Sequence, residues 1–137
     1  MKYLAIDYGL KRTGLAVCDP AETICSPLAV LDSTKGLINK LVEIIKTQNV
    51  QGVVIGLPLN MDDTEGPQAK VVRQFADRLR KTIDIPIHFQ DERLSTFAAD
   101  EKLNDIEISR AKRKHRRDAL AAADILETFL QNLRRDK

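Results

Sequence analysis

An aspartate at the end of an apolar segment is the feature that most constrains this chain. Residues 3–6 (YLAI) are followed at once by Asp7, and Gly9 comes next but one. Such a segment is typical of a strand that is buried on both faces of a sheet, where an uncompensated carboxylate costs on the order of several kcal/mol. We therefore expect Asp7 to bind a metal or to accept hydrogen bonds. The simpler alternative is that it accepts backbone amides from the turn at residues 9–13.

Length and composition predict one globular domain. The chain has 137 residues, of which 43% are hydrophobic and 31% charged, so it can bury one sizeable core and is too short for two. We expect a single domain over residues 1–137. No segment reaches the roughly 18 consecutive apolar residues of a membrane span, and the N-terminus lacks the pattern of a signal peptide. These features predict a cytoplasmic protein without a membrane partner.

Short apolar segments rich in β-branched residues predict five strands. They cover residues 2–8, 15–18, 28–31, 52–56 and 85–89. The first three follow one another through short connections, so we expect them to be antiparallel. Asp91 and Glu92 are expected just beyond the end of the last strand.

Apolar residues at helical spacing predict four helices. They cover residues 37–45, residues 67–79, a segment from a cap at Ser95 or Thr96 to about Leu103, and residues 116–133. Ser33 or Thr34 is the expected cap of the first helix, and Pro67 lies near the first turn of the second. Residues 104–114 are polar with little periodicity, which indicates a loop or a frayed helix end; a helical extension is the alternative.

The order of these elements predicts an α/β fold. Strands that are separated by helices require parallel crossovers, so the last two strands should lie parallel to the first, in a mixed five-stranded sheet with helices on both faces. Ligands of such sheets bind beyond the carboxyl ends of the parallel strands. Asp7, the loop after Gly56 and Glu92 should all lie at that edge.

The last helix offers two candidates for a third acid. At about 100° per residue, Asp118 shares a face with Ala122 and Ile125, whereas Asp124 falls on a mostly polar face. We therefore predict that Asp118 points towards the sheet and Asp124 away from it. The simpler alternative for Asp118 is a carboxylate that the helix dipole favours in the first turn.

Three carboxylates at one sheet edge would suit a hard cation such as Mg²⁺ or Mn²⁺. Glu92 has a simpler alternative as a solvated loop charge or an ion-pair partner. Neither the cysteines, Cys18 and Cys25, nor the two histidines have the spacing of a metal site.

Positive charge is concentrated in one segment. Residues 110–117 carry six positive charges and no acid, and because the whole chain carries +2, the remainder has a net charge of −4. The charged residues are Arg110, Lys112, Arg113, Lys114, Arg116 and Arg117. This segment, with Lys11 and Arg12 in the hairpin after Asp7, favours binding to a nucleic-acid backbone; the alternative is a solvated face. Asn60 and Thr64 are further candidates for substrate contact.

Four motifs in order resemble those of the YqgF family, which comprises RNase H-like proteins described as Holliday junction resolvases and as pre-16S rRNA nucleases. The motifs are AIDYGLKRTGLAV, VIGLPLNMDDTEG, QDERLST and RRDALAAADILETFL. The resemblance covers nearly the whole chain and implies an RNase H-like fold. It places the family's acidic site, which is catalytic and binds Mg²⁺ or Mn²⁺, on Asp7, Glu92 and Asp118.

The chain departs from the family pattern at two places. Asp62 and Asp63 stand where family members often carry glycine, and we expect them to stiffen the loop or to alter its contact with phosphate. Asp124 occupies a position that is usually apolar in the family. The related resolvases usually have a fourth acid, which the sequence does not place, so the number of metal ions stays open.

The resemblance implies metal-dependent hydrolysis of phosphodiester bonds. We predict a nuclease that processes the 5′ end of pre-16S ribosomal RNA, with a Holliday junction resolvase as the alternative. Aromatic residues make up 4% of the chain, so base stacking is not expected to dominate recognition. Paired cuts in a junction would favour a symmetric dimer, and the chain is expected to be a monomer or a weak homodimer.

The sequence gives weaker support to two other classes of function. A sugar kinase or actin-like ATPase also places an aspartate and a glycine hairpin beside phosphates, but it needs two such domains around its nucleotide. A ribosome-associated binding module would use the basic segment and cut nothing.

Overall fold

One mixed sheet of five strands organises the chain. The structure, a computed structural model, describes residues 1–34, 36–60, 62, 64–92 and 110–135, and for 110–116 the backbone alone. The strands are β1 (Tyr3–Tyr8), β2 (Arg12–Cys18), β3 (Cys25–Asp32), β4 (Gly52–Leu57) and β5 (Ile87–Asp91). The described helices are α1 (Leu37–Thr47), α2 (Pro67–Arg80) and α3 (Arg110–Arg135). The helix predicted to end near Leu103 lies outside the described residues.

The strand order is β3-β2-β1-β4-β5. Strand β1 pairs with β2 antiparallel and with β4 parallel, β2 pairs with β3 antiparallel, and β4 pairs with β5 parallel. The predicted mixed topology is confirmed. Because β1, β4 and β5 run in the same direction, their carboxyl ends meet at one edge of the sheet.

Three strand boundaries were predicted wrongly. Strand β2 begins at Arg12, and β3 covers Cys25–Asp32 because it pairs with β2 along its whole length, although much of it is partly exposed and gives no continuous apolar signal. Strand β5 begins only at Ile87, after Pro86, whose carbonyl accepts a hydrogen bond from Val53 N at 2.9 Å. It continues to Asp91, opposite Leu57, so Asp91 belongs to the strand.

Helices cover both faces of the sheet, as predicted, and each face has its own core rather than the single core that was expected. Helices α1 and α2 pack on one face through apolar residues that include Leu41, Phe75 and Leu79, against Leu4 and Ile6 of β1. On the other face α3 packs against a second core. This second core comprises Tyr3, Ala5, Ala16, Cys18, Val54, Ala122, Ala123, Ile125, Leu126, Phe129 and Leu130.

The start of α1 differs from the predicted cap. Gly36 occupies the cap position with φ of 99°, and no side chain caps the helix. The hydroxyl of Ser33 instead bonds to that of Thr13, at 2.6 Å. The turn into α1 is therefore made by a glycine with left-handed backbone geometry rather than by Ser33 or Thr34.

The last helix is longer than predicted. Helix α3 begins at Arg110, so the interpretation of residues 110–114 as a loop was wrong and the helical extension is correct. Arginine, alanine and lysine are strong helix formers, and they sustain a helix without an apolar face. Within the described parts of the chain, no helix is both long and apolar enough to cross a membrane.

Candidate active site

Asp7 lies on the α3 side of the sheet between two glycines. Tyr3 and Ala5 belong to the core beneath α3, and since side chains alternate along a strand, Asp7 continues this row. Asp7 pairs directly with Gly14 of β2. On the other side Ile6 pairs with Ile55, so the next residue of β4, Gly56, lies beside Asp7.

Glu92 reaches Asp7 from the far side of β4. Its backbone follows β5, with Glu92 N donating to Leu57 O at 3.4 Å. Its carboxyl group lies over Gly56, where a Cβ would be 2.6 Å from Glu92 Oε2. The carboxyl groups of Asp7 and Glu92 share a hydrogen bond. The structure thus joins two of the three predicted acids.

The surroundings of the two carboxyls raise the pKa of both. Burial, the charge of Asp7 and the hydrogen bond to it, with a further contribution from the charge of Asp91, raise the pKa of Glu92 to about 8. Burial also raises the pKa of Asp7; the hydrogen bond from Glu92 opposes that rise and the charge of Asp118 adds to it. With a pKa of about 8, Glu92 is mostly protonated at neutral pH and can donate the hydrogen bond to Asp7.

Asp118 approaches the site from α3. A Cβ on Gly14 would overlap the main-chain carbonyl oxygen of Asp118, so α3 rests directly on the backbone of β2 at the residue that pairs with Asp7. The side chain of Asp118 accepts a hydrogen bond from Arg12 Nε at 2.8 Å, in a pair whose side chains are 25% and 32% exposed. Asp118 is thus near Asp7 and engaged with Arg12.

Two expectations about α3 are wrong. Asp118 is not in the first turn, because α3 begins eight residues earlier, at Arg110. Asp124, predicted to point outwards, is only 8% exposed. All residues from Ala121 to Leu126 are buried, since α3 packs against four strands, β1, β2, β3 and β4. A prediction that assumes one narrow apolar stripe underestimates how many residues of such a helix are buried.

The carboxylate oxygens of Asp7 and Glu92 are ligands of the kind that a hard cation prefers. Among the residues that the structure describes, no group of three or more histidine, cysteine, aspartate or glutamate side chains is close enough to hold a metal ion. Asp7 and Glu92 nevertheless form a half-buried pair of oxygen ligands over a glycine, and a divalent cation would replace the proton of Glu92. Asp118, the third predicted acid, pairs with Arg12 in this structure.

The sequence matches a known family over nearly its full length. The model of the RuvX family, described as Holliday junction resolvase, matches residues 1–132. The chain belongs to the RuvX family. RuvX and YqgF are two names of one family, so this match confirms the family predicted from the four motifs. A curated relative from Maridesulfovibrio salexigens, named "Putative pre-16S rRNA nuclease", is 42% identical over 132 residues, which cover 95% of this chain and 98% of the relative.

Two solved resolvase structures share the fold of this chain. The structure titled T. thermophilus RuvC in complex with Holliday junction substrate superposes with a TM-score of 0.61 at 17% identity, covering 97% of this chain and 96% of that one. The fowlpox virus resolvase in complex with Holliday junction DNA has a TM-score of 0.62 at 12% identity, with coverages of 97% and 99%. At 17% and 12% sequence identity, the structural similarity shows a shared fold and not a shared function. The RNase H-like fold expected of a RuvX family member is confirmed.

The basic residues predicted to bind substrate fall into three groups. Lys11 is exposed beside the site in the β1–β2 hairpin, whereas Arg12 is engaged with Asp118. Arg117 is half-buried on α3. The side chains of the other five residues, Arg110, Lys112, Arg113, Lys114 and Arg116, lie outside the described part of the chain, and their backbone forms the first turns of α3.

The loop after β4 is closed by its own side chains. Asn60 Nδ2 donates to Thr64 Oγ1 at 3.0 Å, and Asn60 N donates to Thr64 O at 2.8 Å. Asp62 Oδ1 accepts from Thr64 N at 3.1 Å and from Thr64 Oγ1 at 2.6 Å. Asp62 therefore stiffens this loop, while Asn60 and Thr64, predicted to contact substrate, are exposed and bond to each other. Asp63 lies outside the described residues.

Gly14 and Gly56 are the residues of the site that the sequence analysis missed. Each flanks Asp7, and each leaves room for an acid of the site, Gly14 for the backbone of Asp118 and Gly56 for the side chain of Glu92. A glycine inside a strand marks a bulge or a close approach of another group. That signal was present in both motifs, TGLAV and VIGLP.

Proposed function

We propose that this RuvX family member is a metal-dependent nuclease that hydrolyses phosphodiester bonds, with one nuclease domain over residues 1–137. The observation that carries the proposal is the position of the Glu92 carboxyl over Gly56, the residue beside Asp7, at the carboxyl edge of the parallel strands. Two ionised carboxyls in a half-buried site repel each other unless a proton or a cation lies between them. This pair is therefore best explained as part of a metal site.

Asp7, Glu92 and Asp118 would hold Mg²⁺, or Mn²⁺ in its place. When bound, such a cation lowers the pKa of an attacking water and stabilises the leaving oxygen of a phosphodiester. Asp7 is the central ligand because it lies between the other two acids on the sheet. Arg12 now pairs with Asp118, and it would be free to bind a substrate phosphate if Asp118 bound the cation instead.

The proposed substrate is the 5′ end of pre-16S ribosomal RNA. Supporting this, the Maridesulfovibrio relative, at 42% identity over nearly both chains, carries the name of a pre-16S rRNA nuclease. Lys11, Arg12, Arg117 and the other basic residues of 110–117 would bind the phosphate backbone, and Asn60 and Thr64 would border the site. Since ribosomal RNA precursors are made in the bacterial cytoplasm, we place the activity there.

Resolution of Holliday junctions is the second candidate. It is favoured by the description of the RuvX model and by the fold shared with RuvC bound to a junction. The chemistry would be the same, but paired cuts require two copies of the site with two-fold symmetry. If the protein is a monomer or a weak homodimer in solution, this would therefore favour RNA as the substrate. If it resolves junctions, we expect the dimer to form only when the protein binds a junction.

Cleavage assays with matched variants test the proposal. Asp7→Asn, Glu92→Gln and Asp118→Asn should each abolish Mg²⁺-dependent cleavage of precursor ribosomal RNA while the fold, followed by circular dichroism, is retained. Glu43→Gln, which changes an exposed acid of α1, is the control and should cleave normally. The same proteins are assayed on four-way DNA. Symmetric cleavage of the junction with intact RNA would select the second candidate, and activity in Asp7→Asn would refute the site.

A further inference from the structure

Asp7 lies on β1 and Glu92 directly follows β5, and these two strands are not neighbours. Strand β4 lies between β1 and β5 in the sheet order. With about 4.8 Å between neighbouring strands, the backbones of Asp7 and Glu92 are roughly 10 Å apart. The carboxyl of Glu92 therefore has to pass over β4 to bond with Asp7. The identity of the β4 residue beneath it decides whether this is sterically allowed.

Gly56 is that residue. A Cβ built there would lie 2.6 Å from Glu92 Oε2 and 3.3 Å from Glu92 Cδ, closer than a methyl group and a carboxyl can approach. The same Cβ would lie 2.6 Å from Ile125 Cδ1 of α3. The space over Gly56 is thus filled from one side by the carboxyl of Glu92 and from the other by the core under α3.

We propose that Gly56 is a positioning residue of the nuclease site, which keeps open the space through which Glu92 reaches Asp7. The proposal rests on the proposed function for its chemistry. With a methyl group at residue 56, the carboxyl of Glu92 gives way first, because it is the free end of a side chain, whereas β4 is paired on both sides. The carboxyl then turns away from Asp7, and the pair of oxygen ligands is lost.

The contact with Ile125 allows the positioning role to be separated from simple packing. Gly56→Ala alone introduces two overlaps, one with Glu92 and one with Ile125. Ile125→Val removes Cδ1 and so relieves the overlap with the core while leaving that with Glu92. The double variant Gly56→Ala/Ile125→Val should therefore fold like Ile125→Val and still lack a correctly placed Glu92. If it does not fold, Ile125→Ala replaces Ile125→Val, since it removes more of the side chain.

Gly52 supplies a matched control. It lies on the same strand and the same face as Gly56, four residues earlier, and a Cβ there would lie 2.7 Å from the ring of Tyr3, away from the acids. Gly52→Ala introduces an overlap of similar severity and should lower the melting temperature. It should leave the Asp7–Glu92 pair unchanged, so a loss that is due to destabilisation alone would appear in this variant too.

The experiment measures metal binding apart from cleavage. Mn²⁺ affinity is determined by calorimetry without substrate, and kcat and KM are determined on precursor ribosomal RNA and on four-way DNA. We expect Gly56→Ala/Ile125→Val to bind Mn²⁺ about 10- to 100-fold more weakly than Ile125→Val. Its kcat should fall by about 100-fold with KM unchanged, because the basic residues that bind substrate are untouched. Gly52→Ala should retain both Mn²⁺ affinity and kcat.

The outcomes separate this inference from the proposed function. Mn²⁺ affinity and kcat equal to those of Ile125→Val would overturn the positioning role while leaving the nuclease intact. Weaker Mn²⁺ binding in the double variant, with no cleavage of either substrate by the wild-type protein, would support the positioning role and refute the nuclease. Equal losses in Gly52→Ala would also overturn the inference, because they would assign the effect to destabilisation.

Discussion

At the scale of single residues, the Asp7–Glu92 pair makes the stability of the metal-free protein depend on pH. The pKa of Glu92 is about 8 in the folded protein, against an ordinary value of 4.5. A carboxyl whose pKa is raised on folding contributes stability that is present below its unfolded pKa and lost as the pH rises through the folded pKa. The free energy of unfolding should therefore fall between pH 5 and pH 8, by on the order of a few kcal/mol for this half-buried group.

Denaturant unfolding in EDTA at several pH values measures this effect. Glu92→Gln keeps the shape of the side chain without its charge, so its unfolding free energy should decrease less over the same range. In the wild-type protein Mg²⁺ should bind more tightly at pH 8 than at pH 6, because the proton of Glu92 has to leave. Parallel pH profiles for the wild type and Glu92→Gln would contradict the raised pKa of Glu92.

Sequence reasoning located Asp7 and Glu92 because the ends of apolar strands can be recognised from the sequence, and parallel strands bring those ends together. It failed for Asp124, whose burial depends on how much of the sheet α3 covers, a property of the packed molecule. It also missed the pairing of Arg12 with Asp118, which are 106 residues apart. Side-chain partners at that separation follow from helix placement, which a strand pattern does not specify.

At the scale of elements, Gly14 sets the distance between α3 and the sheet. A methyl group at this residue meets main-chain atoms of Asp118 and Ala119, which cannot move without the helix. Gly14→Ala should therefore displace α3, cost about 1–3 kcal/mol or more in the free energy of unfolding, and separate Asp118 from Asp7. Urea unfolding measures the free energy of unfolding, and a cleavage assay measures the Mg²⁺-dependent rate; both the free energy and the rate should decrease. Gly52→Ala, with its overlap far from the acids, should lose stability alone, whereas full cleavage by Gly14→Ala would show that this approach is not required.

The helices and strands were predictable where burial gives them a clear apolar pattern. The apolar face of α2 and its start at Pro67 agree with the prediction, and the buried residues of α1 are Leu37, Leu41 and Ile45. The edge strand β3 and the first turns of α3 were predicted less well, because pairing and helix propensity form them without an apolar face. The cap of α1 was missed because the hydroxyl of Ser33 bonds to Thr13 across the sheet.

At the scale of the whole molecule, the topology followed from general rules. Two helical connections required parallel strands, and parallel strands placed β1, β4 and β5 with their carboxyl ends at one edge. These rules are independent of side-chain detail, which is why the strand directions and the helices on both faces agree with the prediction. The same topology carries Asp118 to that edge on α3, directly after the basic residues 110–117.

This arrangement predicts binding to nucleic acid that depends steeply on salt. The first two turns of α3 carry six positive charges, while the rest of the chain has a net charge of −4, so the positive field is concentrated next to the acids. Each phosphate contact that is lost should reduce the slope of log K against log salt concentration by about 0.7 to 0.9. In Asp7→Asn, which prevents cleavage, replacing Lys112, Arg113 and Arg116 with alanine should reduce the slope by about 2 if each contacts one phosphate.

Three other lysines supply the matched control. Alanine at Lys40, Lys46 and Lys81, which are exposed and lie outside this segment, changes the net charge equally and should leave the slope nearly unchanged. Fluorescence anisotropy of labelled precursor RNA from 50 to 300 mM KCl measures both slopes, and equal slopes would mean that net charge, rather than this segment of α3, attracts the substrate.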